Sequence, residues 1–291
     1  MHTTPLSLAT AAGLLALFVG TPTLAQSQVV FDNSANLLNK TPDILPTQEY
    51  GDEIFLAGRA RLVTEFDFAY FASVGTTAGV SYAVRFYVND GTDALPGAAT
   101  ALRPKSLLWD SGLQDINNGV NKVALTVPNI LVPDHFTWTI TFQGLNGTSG
   151  KQAALELADP ATVGAVLAPA TATEPALIGS YDDFWKKEVA ADADSWTLYT
   201  LGSAPTDPKG NFFAVVKALP YDPPVQITRA GSNVVLSWPA ILSGYVLESS
   251  ADLKTPISWL PVATPPVNVG GINYVTNAVV PGVQFYRLHH P

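Results

Sequence analysis

The amino-acid sequence predicts an all-β protein, a large β-sandwich of jelly-roll type followed by a smaller β-sandwich. Three observations carry that prediction. Short runs of β-branched and aromatic residues alternate with polar ones at a period of two. Gly, Pro and Asn punctuate those runs at short intervals, as in sandwiches built from many short strands. Beyond residue 25, no window holds a sustained apolar stripe at helical spacing.

The first alternating run covers residues 61–71, with Leu62, Thr64, Phe66, Phe68 and Tyr70 on one face and Glu65 and Asp67 on the other. Residues 80–88 repeat the pattern. Val80, Tyr82, Val84, Phe86 and Val88 face in, Ser81 and Arg85 face out, and Asn89-Asp90-Gly91 supplies the turn. Residues 107–112 and 120–127 read as short strands, the second closed by Pro128. Residues 135–142 are two-periodic throughout, which sends Phe136, Trp138 and Ile140 inward and His135, Thr137, Thr139 and Thr141 toward solvent. Later strands are expected at 153–157, 196–201 and 212–217, with residues 161–176 forming a long exposed loop. Residues 219–224, Leu-Pro-Tyr-Asp-Pro-Pro, read as a stiff linker. It separates a large domain at 26–218 from a small one at 225–291.

Hydrophobic residues make up 47% of the 291 and charged ones only 13%, so the surface relies on Thr, Ser, Asn and Gln for solubility. The net charge of −9, from 24 acids against 15 bases, argues against non-specific binding of nucleic acid or anionic lipid. Cysteine is absent, which removes disulfides, thiolate metal sites and a cysteine nucleophile. Residues 6–20 form an apolar run too short to span a bilayer, and Thr23-Leu-Ala25 follows with small residues where a signal peptidase reads. Residues 1–25 are therefore expected to be a secretory signal cleaved before Gln26, although the segment before the apolar run carries no Lys or Arg. No later segment is long and apolar enough to be transmembrane. The expected location is extracellular, at the cell surface or in the periplasm.

The last quarter of the chain contains Leu236-Ser-Trp238-Pro, Tyr245-Val-Leu-Glu-Ser-Ser250, Trp259-Leu-Pro-Val262 and Phe285-Tyr-Arg-Leu288. It resembles the fibronectin type III and related immunoglobulin-like modules, in the compact variant that closes many secreted proteins of environmental bacteria. That resemblance makes Trp238 a core residue. The chain ends where the penultimate strand of a full module would, which implies an open sheet edge, and the nearby linker is the expected cover. The larger domain is similar to one found in the same secreted proteins, through Tyr50-Gly-Asp-Glu-Ile54, Leu56-Ala-Gly58, Val132-Pro-Asp134, Phe136-Thr-Trp-Thr139 and Asp183-Phe-Trp185. The likeness implies a fold and an export route, and carries no activity.

Few catalytic arrangements are open to such a chain. After the signal the histidines are His135, on a solvent-facing position, and His289 and His290, at the chain end where order is least expected. There is no Gly-x-Ser-x-Gly elbow and no glycine-rich phosphate loop. Paired carboxylates remain, since glycoside hydrolysis needs only two. Asp52 with Glu53, Asp182 with Asp183, and Asp192 with Asp194 qualify by type, but neighbours on a strand point to opposite faces. No cofactor is expected, with calcium the one ion for which hard oxygens near turns are at hand, at Asp52, Asp90 and Asp93.

Sugar binding needs exposed flat aromatic rings beside polar groups. Tyr181-Asp182-Asp183-Phe-Trp185 is the best such segment, with Trp109 and Tyr199 as weaker candidates. The sequence thus points to a secreted, non-catalytic β-protein that binds a glycan or another surface component, with no nucleic acid partner. A structural protein docking through its terminal module, and a divergent glycoside hydrolase, are the two alternatives.

Overall fold

A computed structural model describes residues 26–42, 47–92, 102–145, 151–168, 176–190, 192, 195–201, 211–241 and 244–290. The expected signal segment, Asp93, Asp194 and residues 169–175 of the expected exposed loop lie outside the described residues. The protein is all-β. Its first fourteen strands are β1 (Gln28–Asp32), β2 (Gln48–Phe55), β3 (Ala60–Val74), β4 (Ser81–Val88), β5 (Ser106–Asp110), β6 (Gln114–Asp115), β7 (Gly119–Leu131), β8 (His135–Gln143), β9 (Lys151–Leu155), β10 (Val166–Leu167), β11 (Leu177–Ile178), β12 (Phe184–Glu188), β13 (Thr197–Tyr199) and β14 (Ala214–Pro220). Seven more come after them: β15 (Gln226–Ala230), β16 (Asn233–Pro239), β17 (Val246–Ser250), β18 (Leu260–Pro261), β19 (Val267–Val269), β20 (Ile272–Ala278) and β21 (Phe285–His289). Among the described residues no helix is long and apolar enough to cross a membrane.

Two sheets enclose the main core. One has the order β1-β14-β3-β7, with β9 beside the second half of the long β3; the other runs β13-β12-β2-β8-β4-β5, with β6 on β4. Aromatic rings from the two meet tilted or edge to face. Phe66 of β3 lies 5.1 Å from Phe86 of β4 and 4.9 Å from Trp138 of β8, and Phe68 lies 5.4 Å from Tyr82. Such geometries set the positive ring edge against a negative ring face. The inward residues of β4 and β8 are those the alternation assigns: Val84, Phe86, Phe136, Trp138 and Ile140 are all fully buried.

β3 departs from its expected face at one end. Val63 is fully buried, whereas Leu62 and Thr64 are only half-buried. The ladder with β7 steps from Val63↔Ile130 to Glu65↔Thr126, an irregularity that leaves Thr64 and residues 127–129 out of register. An extra residue reverses the alternation of everything on its far side. The same irregularity accommodates Pro128, which does not close β7 as expected; the strand runs on to Leu131. Likewise β14 extends through Leu219 to Pro220, paired with Ala60, so the first two residues of the expected linker belong to the sheet.

Residues 226–289 make their own two sheets, β15-β16-β20-β19 and β18-β17-β21, around Leu236, Trp238, Leu247 and Val275. Trp238 is 2% exposed, a core residue as the resemblance implies. The chain end is ordered where fraying was expected: His289 closes β21 and stands 3.3 Å from Glu248, and His290 packs edge-on against Tyr245. Among the described residues β21 pairs with β17 alone, so its outer edge is not covered by the linker as a strand. The linker instead accepts a hydrogen bond at the Tyr221 carbonyl from the Tyr245 hydroxyl.

Candidate functional site

The outer face of β8 was expected to meet solvent, and beyond His135 it does not. Thr137 and Thr139 are fully buried and Thr141 nearly so. The cover comes from the segment after β11. Phe184 of β12 enters the main core, while the next residue, Trp185, turns to the other side and packs with Tyr87 and Trp196 in a small second core. Trp185 stands directly opposite Gly51 of β2, itself opposite Thr139 of β8. Only glycine fits there: a Cβ on residue 51 would lie 1.9 Å from the Trp138 carbonyl oxygen.

Under this cover sits Glu49, buried yet fully engaged. Tyr87 and Thr139 donate hydroxyls to its Oε1 at 3.0 and 2.7 Å, and Arg85 and Lys187 approach Oε2 at 3.4 and 3.6 Å. Lys187 also lies over the Trp196 ring. A carboxylate deprived of water is tolerable only with such partners, so this half of the face is structural.

The other half is differently furnished. Asp52 and Glu53 point to opposite sides of β2, as adjacent strand residues must. Asp52 pairs with Trp138 and faces inward; its Oδ1 accepts from the Ser180 hydroxyl at 2.9 Å. Glu53 faces outward beside Thr137, with His135 Nε2 3.6 Å from its Oε1. Asn89, whose amide oxygen accepts from Thr137 at 2.8 Å, lies against the same carboxyl. Asp183, arriving just before β12, is close enough to act electrostatically on both carboxyls of β2.

Burial governs the protonation of all three. Loss of water, then the repulsion of Asp183, pushes Glu53 up to about 8, with Asn89 opposing. Burial and then Asp182 push Asp183 up to about 6. Asp52 is held well above the usual carboxylate range by burial, against the pull of the Ser180 hydroxyl. Burial lowers His135, against the opposing pull of Asp134. Near neutral pH the group holds protons where ordinary carboxylates do not.

Aromatic rings rim these carboxyls. Phe55, at the end of β2, stacks on the His135 imidazole at 4.9 Å and meets the Tyr181 ring edge-on at 5.5 Å. The His135 side chain is 42% exposed. Backbone bonds from Phe55 N to Gly179 O and from Ala165 N to Phe55 O fasten the approaching segment to β2.

The structure therefore unites Glu53, His135, Tyr181 and Asp183, which the sequence raised for separate reasons. It also corrects one expectation. Trp185 is 0% exposed and offers no open ring to a ligand, because its face of the sheet is itself covered. Asp182, half-buried, stands next to Asp183 and raises it by charge repulsion. Tyr199 remains 40% exposed under Lys186, and Trp109 packs on Phe86.

Of the expected calcium ligands, Asp93 lies outside the described residues. Asp52 faces the interior, and both carboxylate oxygens of Asp90 are taken by Ser106, whose N–H and hydroxyl donate at 2.9 and 2.6 Å. Among the described residues no group of three or more His, Asp or Glu side chains is placed to hold a metal ion.

Phe55 and Asn89 escaped the sequence reading as site residues. No local signal marks them, since Glu53 and Asp183 come together only through the pairing of β2 with β12. Scans against family models and searches of curated proteins and solved structures find no match to the chain.

Proposed function

We propose that the chain is an exported, non-catalytic β-protein of the cell surface or extracellular matrix that binds a glycan or another surface component at the Glu53–Asp183 cluster. The observation that carries this reading is the rim of Phe55, His135 and Tyr181 beside Glu53, whose carboxyl burial pushes up to about 8. Rings stack on the apolar faces of a sugar, and neutral carboxyl and amide groups exchange hydrogen bonds with its hydroxyls. In this reading the larger sheets are a jelly-roll-type sandwich, and residues 225–291 are a fibronectin type III-like module. The test is binding to a panel of immobilised oligosaccharides. At least one should bind, and Tyr181→Ala should weaken it at least about tenfold with the melting temperature unchanged. Binding indifferent to both Tyr181→Ala and Glu53→Gln, or no binding to any sugar, would contradict the proposal.

One observation favours a second reading, hydrolysis. Two interacting carboxyls pushed up to about 8 and about 6 are suited to proton transfer near neutral pH. Release of chromophore from aryl glycosides, abolished by Asp183→Asn, would support that reading over simple binding.

A further inference from the structure

The four-stranded sheet of the terminal module turns an uncharged face to solvent. Its register shows which side chains share that face. Val267 pairs with Tyr274 and Tyr274 with Ser237, while Val269 pairs with Ile272 and Ile272 with Pro239. Leu236 and Val275, paired with each other, point into the core. Period-two alternation then assigns every outward position of β15, β16, β19 and β20. Those positions hold only Gln, Thr, Ala, Asn, Val, Ser, Pro, Ile and Tyr. The one charged residue of these strands, Arg229, stands opposite the inward Val234, and its Nε donates to the Gly231 carbonyl. Val267, Val269 and Tyr274 are 62%, 61% and 37% exposed.

The module's other sheet is different. There Glu248 receives Arg287 and His289, and the guanidinium lies over Trp259. Charge also divides the chain lengthwise. Residues 26–224 hold 12 Lys or Arg against 22 Asp or Glu; residues 225–291 hold Arg229, Lys254 and Arg287 against Glu248 and Asp252. Two copies therefore repel through the first part and not through the second.

We propose that the outer face of β15-β16-β20-β19 is where two copies of the chain associate, face to face about a two-fold axis. A two-fold contact sets a surface against itself, so any unpaired charge on it risks meeting its own kind. This face carries none. Its size bounds the strength: strands about 4.8 Å apart, seven residues long in β16 and β20, five in β15 and three in β19, present roughly 360 Å² per copy. That is about half the ~800 Å² per partner of a stable complex, so the dimer is weak and reversible. Because repulsion between the acidic parts opposes it, salt strengthens it, the reverse of an interface built on ion pairs. This inference does not depend on ligand binding at Glu53.

Sedimentation of the whole exported chain tests it, from about 10 μM to about 1 mM protein, in salt of about 0.05 M and about 1 M. A monomer should give way to a dimer as concentration rises, and at lower concentration in high salt. Val267→Lys and Tyr274→Lys should each raise the dissociation constant at least about tenfold, since each places like charges across the axis. Arg287→Ala, on the opposite sheet, should leave it unchanged. Unaltered melting of each variant shows that the module still folds. A monomer under every condition, a dimer indifferent to both lysine variants, or one dissolved by salt would each overturn the proposal. A monomer that instead sediments with an insoluble neutral polysaccharide would also overturn it, and would assign the face to a sugar.

Discussion

Two outer sheet faces in this molecule share a strand pattern and have opposite fates. On the larger sheet, Thr137, Thr139 and Thr141 of β8 alternate with core residues and are nevertheless buried under Trp185, Trp196 and Tyr87. On the module, Thr228, Tyr274 and Thr276 occupy the same kind of outward position and are exposed. The difference lies in the neighbouring stretches of chain. β12 and the stretch from Trp196 through β13 bring Trp185, Trp196 and Leu198 over the large sheet, whereas nothing among the described residues crosses the module's face. Alternation tells which residues share a face; it does not tell whether another segment lies on it.

Coverage changes chemistry as well as burial. Exposed carboxylates keep ordinary ionisation because water solvates the charge. Under the cover, Glu49 gathers two hydroxyls and two cations. Glu53 has no such set and is held protonated. A structural carboxylate and a candidate functional one thus stand four residues apart on one strand.

The sharpest break in the comparison should come from the tryptophans. Trp185→Ala, though on the outer face, should destabilise the protein by about 3–5 kcal/mol, the cost of removing a core aromatic. Denaturant unfolding measures this, and a loss below ~1 kcal/mol would mean that the cover contributes little. Gly51→Ala comes next, at about 3 kcal/mol or more, because backbone must move to admit the methyl. Chemical denaturation with unchanged stability would show that β2 and β8 separate easily.

Acidity gives a smaller and more specific effect. A carboxyl raised in the folded state binds its proton more tightly there than in the unfolded chain, so its stabilisation is complete below the unfolded value near 4.5. It is lost as pH rises toward about 8, by at most about 1.4 kcal/mol per pH unit. Glu53→Gln should therefore flatten the fall in stability across that window. An unchanged pH profile in urea melts would contradict it. Smallest of all, Tyr274→Ala on the bare face should alter monomer stability by less than about 0.5 kcal/mol.

The legibility of the fold followed the same division. The inward faces of β4 and β8 were readable because burial on one side leaves a two-residue period, whereas the core position of Trp238 came from the resemblance of its strand motifs. The reversal at Thr64 was not, since an irregular pairing is a property of two strands and only one is visible in a local window. Phe184 and Trp185 are both buried because the sheet is covered on both sides, a cover that the polar neighbours of Trp185 do not announce, so its ring read as a candidate for an exposed contact. The candidate site was legible in pieces. Asp183 and Tyr181 were raised for their neighbours in sequence, and Glu53 for its own, but their meeting depends on long-range strand pairing between β2 and β12.

Glu53, buried on this face without the cations that Glu49 gathers, should keep its proton at neutral pH. Titration of its side-chain carboxyl carbon by NMR, assigned by comparison with Glu53→Gln, measures it directly. The predicted midpoint is about 8. A midpoint near the ordinary value of about 4.5 would show that water reaches Glu53 and that the face is open after all.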